Sequence, residues 1–229
     1  SMWGVPFFDR IQRARVKSQP IARYGELNSM MSWAENAARM EGITREEADR
    51  WALRSHQRAV SAWKEGRFSE EVVSVAYPGP KGETLYLEKD ETPREGVSLE
   101  KLSKLKTVYP GGVCTAGNSS SENDGAGAVV LAGASFARKR GLPVLARFVA
   151  GAWAACDPTV TYPAVDGAVK KVLGKAGLSI KNIDLFEIQE AFAVQLLADA
   201  KLVGIAKEDY DKKINVNGSS VLRRFTHIA

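Results

Sequence analysis

A loop rich in serine, asparagine and glycine is the most specific polar arrangement in this sequence. It covers residues 115–126 and reads TAGNSSSENDGA. Its small side chains leave the backbone accessible, and its Ser and Asn side chains supply hydrogen-bond donors and acceptors. Such a loop suits the close approach of an extended polar ligand. Taken alone, a loop of this composition is more often an ordinary turn than a binding site.

A second polar segment lies where a predicted strand meets a predicted helix. Residues 183–193 read IDLFEIQEAFA, and the alternation typical of a strand stops at Ile188. Gln189 and Glu190 therefore fall at the carboxyl end of a strand, where α/β domains bind ligands. The dipole of the following helix would favour developing negative charge at this position. Simple capping of the helix by the Gln-Glu pair explains the same pattern equally well.

A third segment, residues 213–219, reads KINVNGS and indicates a short strand that runs into a glycine turn. By itself it is a weak signal.

Alternating strands and helices predict a layered α/β architecture for the later part of the chain. The first clear helix signal is a capping box, in which Thr44 precedes Glu47 by three residues, and Gly66 marks the end of that helix. We place a domain boundary near residue 121. The predicted helices cover residues 27–40, 44–66, 98–105, 135–140, 165–175 and 190–203. The predicted strands cover residues 71–77, 129–131, 144–152, 184–188 and 214–216.

Composition excludes several classes of protein. The chain has 229 residues with 45% hydrophobic and 26% charged side chains, which is typical of a globular protein. Its net charge of +5 comes from charges interleaved along helices, without the basic, aromatic-rich block of a nucleic-acid-binding protein. No apolar run approaches the ~18 residues of a membrane span, and no signal peptide is expected. Two cysteines without metal-ligand spacing predict a reduced intracellular compartment, cytoplasmic or organellar, and no metal site.

In this order and spacing, the three polar segments resemble those of the thiolase family. The family patterns are Thr-Ala-Gly-Asn-x-Ser-x-x-Asn-Asp-Gly-Ala, Asp-x-x-Glu-x-Asn-Glu-Ala-Phe-Ala and Val-Asn-x-Asn-Gly-Gly. The resemblance covers roughly residues 1–218 and includes the segments 42–49, 55–59 and 178–184. It implies a thiolase-like layered α-β-α fold. Residues 1–121 would then be a loop domain that binds coenzyme A, and residues 122–229 an incomplete C-terminal α/β domain, without the family's first α/β domain.

The resemblance implies a thiolase-like acyl-CoA acyltransferase, which cleaves 3-ketoacyl-CoA with a thiol or condenses acyl-CoAs. Coenzyme A would be a substrate, and no cofactor is expected. The chain alone is expected to be inactive, because neither Cys114 nor Cys156 lies in the family's Val-Cys-Ser-Ser-Gly context. The alternative is a non-catalytic subunit that binds CoA or acyl-CoA or serves assembly. The expected partners are CoA or acyl-CoA, and either a second copy of this chain or a complementing thiolase chain.

Residue by residue, the resemblance implies contacts of Ser120 with the pantetheine arm of CoA and of Arg94 with its nucleotide end. Gln189 replaces the Asn that holds a water at the thioester oxyanion in many members. After Gly218 the sequence departs from the family's Gly-Gly-His-Pro continuation, so His227 does not inherit the role of the catalytic histidine. Five further residues match the motifs: Asn118, Glu190, Phe192, Asn217 and Gly218.

The predicted helix 190–203 is apolar on nearly all sides, which is typical of a helix buried between two layers. Without the first α/β domain we expect it to expose apolar surface and to drive self-association.

Overall fold

The computed structural model describes residue 22, residues 30–121 and residues 125–219. Its elements in chain order are α1 (Met30–Glu41), α2 (Arg45–Lys64), β1 (Val75–Pro78), β2 (Thr84–Leu87), α3 (Leu99–Ser103), α4 (Ala134–Arg140), α5 (Tyr162–Ala176), α6 (Ala193–Val203) and α7 (Tyr210–Lys213), with 3-10 turns at Ile180–Asn182 and Lys207–Asp209. Each predicted helix is present, with ends displaced by a few residues. Residues 27–29, predicted as the start of the first helix, lie outside the described residues.

The second helix begins and ends as its sequence predicts. The Thr44 hydroxyl accepts the backbone N–H of Glu47 at 3.2 Å, and the Glu47 carboxylate accepts the backbone N–H of Thr44 at 2.9 Å. This capping box satisfies two backbone donors that the first turn leaves without helical partners. At the other end Gly66 has φ +70°, a left-handed conformation that glycine adopts without steric cost. Side chains at helical spacing form a buried stripe on one face of α2, namely Ala48, Trp51, Ala52, Ser55, Ala59 and Ala62, and Trp63 beside them is half-buried.

Helix α6 is the centre of the core. It packs against α5, α1 and α2, and its buried apolar residues are Ala193, Val194, Leu196, Ala198 and Ala200. The prediction that this helix is buried between layers is confirmed. The expectation that its apolar surface lacks a partner in this chain is wrong, because α1 and α5 cover it.

The predicted strands at 129–131 and 144–152 do not form a sheet within the described residues. Both segments lack assigned secondary structure and are largely solvent-exposed, and Val130 and Leu145 are 96% and 99% exposed. The predicted strand at 71–77 is present only as β1, which pairs antiparallel with β2. The predicted and observed strands differ because a strand needs backbone hydrogen bonds to an adjacent strand, and an apolar sequence pattern does not show whether an adjacent strand is present.

The predicted strands at 184–188 and 214–216 meet in a single parallel bridge between Phe186 and Ile214. The Phe186 N–H donates to Lys213 O at 2.8 Å, and the Asn215 N–H donates to Phe186 O at 2.9 Å. This bridge brings the second and third polar segments together.

A buried carboxylate in α6 makes the stability of the fold depend on pH. Asp199 is 2% exposed, and burial raises its pKa from 3.8 to about 7. The Gln195 amide donates a hydrogen bond to the carboxylate at 3.1 Å, which lowers the pKa but does not offset the effect of burial. Because the folded-state pKa is the higher one, the folded state retains this proton while the unfolded state loses it. The stabilisation by that proton is complete below about pH 4 and is lost as pH rises through about 7.

We therefore expect the free energy of unfolding to fall by up to about 4 kcal/mol between pH 4 and pH 8 through Asp199 alone, at ~1.36 kcal/mol per pKa unit. Asp199→Asn should remove this pH dependence and stabilise the chain at pH 8. Urea unfolding followed by circular dichroism from pH 4 to pH 8 measures the effect. The matched control is Asp184→Asn, an exposed aspartate. If Asp199→Asn and the unchanged chain give parallel pH profiles, the assignment is wrong.

Candidate functional site

The Ser/Asn/Gly loop is held by the buried side chain of Asn118. The Asn118 Oδ1 accepts the backbone N–H of Thr115 at 2.8 Å, and its Nδ2 donates to Asp49 Oδ1 at 2.9 Å and to Val113 O at 3.1 Å. Asp49 also pairs with Arg45 at 2.7 Å. The Asn118 amide thus hydrogen-bonds to the backbone of residues 113 and 115 and fastens this first part of the loop to α2.

The same loop lies beside the second polar segment. Ser119 and Phe192 form an antiparallel bridge, the Ser120 N–H donates to Ala191 O at 2.9 Å, and the Ala193 N–H donates to Asn118 O at 3.0 Å. Ser120 is half-buried and lies where the two motifs meet. Phe192 is half-buried and packs against the core, in agreement with a packing role.

Glu190 joins three parts of the chain. Its side chain is fully buried, and its Oε1 accepts Trp51 Nε1–H at 2.8 Å and Asn215 Nδ2–H at 2.9 Å. Its Oε2 lies 2.6 Å from the hydroxyl of Ser55. Burial raises the pKa of this carboxyl, and the hydrogen bonds from Ser55, Asn215 and Trp51 oppose that rise. Because Trp51 and Ser55 belong to α2, Glu190 fastens both later motifs to that helix.

The third motif packs directly on α2. Asn215, at φ +43°, accepts the Ile188 N–H and donates to Ile188 O, both at 2.8 Å. Gly218 has φ +75°, and a Cβ at this position would lie 2.6 Å from the backbone N of Ala59. Only glycine fits so close to a helix backbone with this φ. Asn217 is half-buried, and its Oδ1 accepts from Arg67 at 3.3 Å.

The remaining predicted site residues lie at the surface. Gln189 is exposed next to the buried Glu190. The guanidinium of Arg94 is exposed too, and its backbone N–H donates to His56 Nδ1 at 3.2 Å. The structure thus joins Asn118, Ser120, Glu190, Phe192 and Gly218 through a continuous set of contacts around α2, and Arg94 reaches the same helix at His56.

Neither cysteine has the surroundings of a nucleophile. Cys114 is buried, and burial together with the carboxylate of Glu35 raises its pKa to about 12. That carboxylate accepts the backbone N–H groups of Val113 and Cys114, so its charge remains beside the thiol. The Cys156 thiol donates to Val160 O at 3.1 Å. A reactive thiol requires a nearby base or positive charge that stabilises the thiolate, and these surroundings favour structural cysteines.

Sequence reasoning missed the polar residues of α2 that hold the motifs. Helical spacing places Ser55 and Trp51 on the buried stripe of α2 without indicating their polar partner, and nothing in the sequence predicts the pairing of Asp49 with Asn118. One signal was available, since a serine on an otherwise apolar stripe needs a polar partner when it is buried.

Within the described residues, no helix is long and apolar enough to cross a membrane. In the same residues, no group of three or more His, Cys, Asp or Glu side chains is placed to hold a metal ion.

Comparisons with known proteins identify the family. The thiolase N-terminal domain family matches residues 16–135, and the thiolase C-terminal domain family matches residues 142–222. The acetyl-CoA acetyltransferase of Pseudomonas aeruginosa is 44% identical over 190 residues, which cover 82% of this chain and 47% of that protein. The beta-ketoadipyl-CoA thiolase of Acinetobacter baylyi is 39% identical over 201 residues, 87% of this chain and 49% of that protein.

Solved structures agree. The crystal structure of the Bacillus anthracis acetyl-CoA acetyltransferase matches with a TM-score of 0.81 and 38% identity, over 86% of this chain and 49% of that one. Human mitochondrial 3-ketoacyl-CoA thiolase matches with a TM-score of 0.75 and 35% identity, over 85% of this chain and 48% of that one. The chain belongs to the thiolase family and has a thiolase-like α/β fold. It spans about half the length of the relatives it matches.

Proposed function

We propose that this chain forms the coenzyme A-binding part of a thiolase-like acyl-CoA acyltransferase. The observation that carries the proposal is the fixed placement of Ser120: its loop is fastened to α2 through Asn118 and paired with the second motif at Ala191. In this proposal residues 1–121 are the loop domain and residues 122–229 are part of the second α/β domain. Relatives named acetyl-CoA acetyltransferase and 3-ketoacyl-CoA thiolase support this class of reaction.

Each site residue has a defined part in the proposal. The half-buried hydroxyl of Ser120 would hydrogen-bond to the amides of the pantetheine arm. The exposed guanidinium of Arg94 would bind a phosphate at the nucleotide end, where charge-assisted hydrogen bonds are strong. Gln189 would hold a water near the thioester oxygen, with its backbone fixed by the buried Glu190. Coenzyme A is the substrate here, and the proposed chemistry requires no metal.

A non-catalytic role is the second candidate, and one observation favours it. The thiol of Cys114 is buried beside a carboxylate with its pKa near 12, so it is unsuited to nucleophilic attack. In that case the chain binds CoA or acyl-CoA, or serves assembly, as a homo-oligomer or with a complementing thiolase chain.

Binding of CoA and of dephospho-CoA tests the proposal. Arg94→Ala should weaken CoA binding about tenfold or more, since a hydrogen bond to a charged group contributes ~1.5–3 kcal/mol. The same substitution should weaken binding of dephospho-CoA much less, because that ligand lacks the 3′-phosphate. Isothermal titration calorimetry measures both dissociation constants.

The matched control is Arg50→Ala, which removes the same charge from an exposed arginine paired with Glu46 on α2. Ser120→Ala should weaken both ligands equally, because both carry the pantetheine arm. Equal losses for both ligands in Arg94→Ala would contradict the role of Arg94. Absence of CoA binding by the unchanged chain would contradict the proposed function itself.

A further inference from the structure

A buried contact attaches the segment that carries Arg94 to α2. His56 is 6% exposed, and its Nδ1 accepts the backbone N–H of Arg94 at 3.2 Å. The bond fixes the backbone from which the exposed guanidinium extends. His56 therefore decides where the backbone of Arg94 lies relative to the helix.

The imidazole of His56 is neutral at physiological pH. Burial, and secondarily the positive charge of Arg94, lower its pKa to about 4. A neutral imidazole that accepts at Nδ1 carries its proton on Nε2. The contact with Arg94 thus consists of a neutral acceptor and a backbone donor, and it persists over the whole physiological pH range.

Two further attachments of this segment are at the surface. Lys64 pairs with Glu95 at 2.9 Å, with both side chains largely exposed, and Lys101 Nζ donates to Gly96 O at 2.7 Å on the exposed side. Exposed pairs of this kind contribute little, because solvent screens them and ordering the long side chains costs entropy. The buried hydrogen bond to His56 is therefore the more effective constraint.

The neighbouring residue on α2 ties the same helix to the other end of the site. The hydroxyl of Ser55 lies 2.6 Å from Glu190 Oε2, and it accepts the backbone N–H of Ser219 at 3.3 Å. Adjacent residues of one rigid helix thus hold the Arg94 segment and the second and third motifs. The separation between the Arg94 segment and these motifs is set by α2.

We propose that His56 is a positioning residue, which places Arg94 so that its guanidinium meets the 3′-phosphate of coenzyme A while the acyl end lies at the motif loops. The inference rests on the proposed function, because it explains how the guanidinium of Arg94 is placed for its proposed contact with the 3′-phosphate. It predicts that loss of the Nδ1 acceptor damages recognition of the 3′-phosphate more than binding of the rest of the ligand.

Two substitutions of His56 separate positioning from packing. His56→Leu removes the acceptor, whereas His56→Asn retains one, since Asn Oδ1 is bonded to Cγ as Nδ1 is in histidine. The quantity measured by calorimetry is the ratio of the dissociation constants of dephospho-CoA and CoA. We expect His56→Leu to lower this ratio about fivefold or more and His56→Asn to keep it within about twofold. Adding Arg94→Ala to His56→Leu should lower it no further than Arg94→Ala alone, because both changes act on one contact.

The outcomes distinguish this inference from the proposed function. If Arg94→Ala lowers the ratio and His56→Leu does not, the positioning role is overturned and the CoA site stands. If neither variant changes the ratio while the unchanged chain binds CoA, the phosphate contact of Arg94 and the positioning role of His56 are both overturned, and the CoA site stands. If the unchanged chain binds no CoA, the proposed function fails as well. Amide hydrogen exchange provides a ligand-free check: the Arg94 N–H should exchange faster in His56→Leu than in His56→Asn. Equal exchange rates in these two variants would also overturn the role of His56.

Discussion

Acetoacetyl-CoA incubated with this 229-residue chain and free CoA should remain uncleaved. Thiolysis by a thiolase needs a thiolate that forms an acyl-enzyme, and neither cysteine of the chain is set up to provide one. Burial and Glu35 raise the pKa of Cys114 from 9.0 to about 12, which lowers its thiolate fraction at neutral pH about a thousandfold. The Cys156 thiol is engaged with the carbonyl of Val160. We expect a rate many orders of magnitude below that of a complete thiolase.

Loss of absorbance of the acetoacetyl-CoA enolate measures thiolysis, with a complete thiolase assayed beside the chain. Cys114→Ala and Cys156→Ala are the matched variants, since each removes one thiol and leaves the other. A robust rate that Cys114→Ala abolishes and Cys156→Ala retains would contradict the prediction and make Cys114 the nucleophile. A rate unchanged in both variants would indicate a contaminating enzyme.

The sequence predicted the helices well because their signals are local. The capping box of Thr44 and Glu47 and the glycine at position 66 specify the ends of α2 within a few residues of chain. In the structure the three motifs lie together, with Ser120 beside Ala191 and Phe186 beside Ile214. These contacts are a finding of the structure, since order along the chain does not specify which segments touch.

Pairing partners could not be read from the sequence. Segments 129–131 and 144–152 have apolar patterns typical of buried strands, but burial depends on which surface lies opposite. For helix α6 the sequence pattern predicted burial but not the partners, which are α1, α2 and α5. The network around Glu190 was also hidden, since its members Ser55 and Asn215 are separated from it by 135 and 25 residues. The roles of Ser120, Arg94 and Gln189 stay predictions until ligand binding is measured.

Self-association of the purified chain is the second large effect that we expect. Segments 129–131 and 144–153 present large apolar side chains to solvent, among them Val130, Leu145 and Trp153. Burial of each such side chain contributes ~1.5–3 kcal/mol, so covering several of them is comparable with the whole stability of a domain. The apolar surface responsible is thus on these segments and not on α6.

Sedimentation velocity over about a tenfold range of concentration, together with binding of a dye specific for apolar surface, measures this association. The double variant Val130→Lys with Leu145→Lys should shift the chain towards monomer and lower dye binding, because two desolvated charges oppose contact between copies. Val73→Lys is the control: it adds a lysine at an exposed valine outside both segments and should leave association unchanged. If Val73→Lys reduces association as much as the double variant does, added charge anywhere on the surface opposes association, and the role of the two segments is contradicted. A single monomeric species that binds no dye and unfolds cooperatively would contradict the prediction. It would show that the chain tolerates these exposed apolar side chains without a partner.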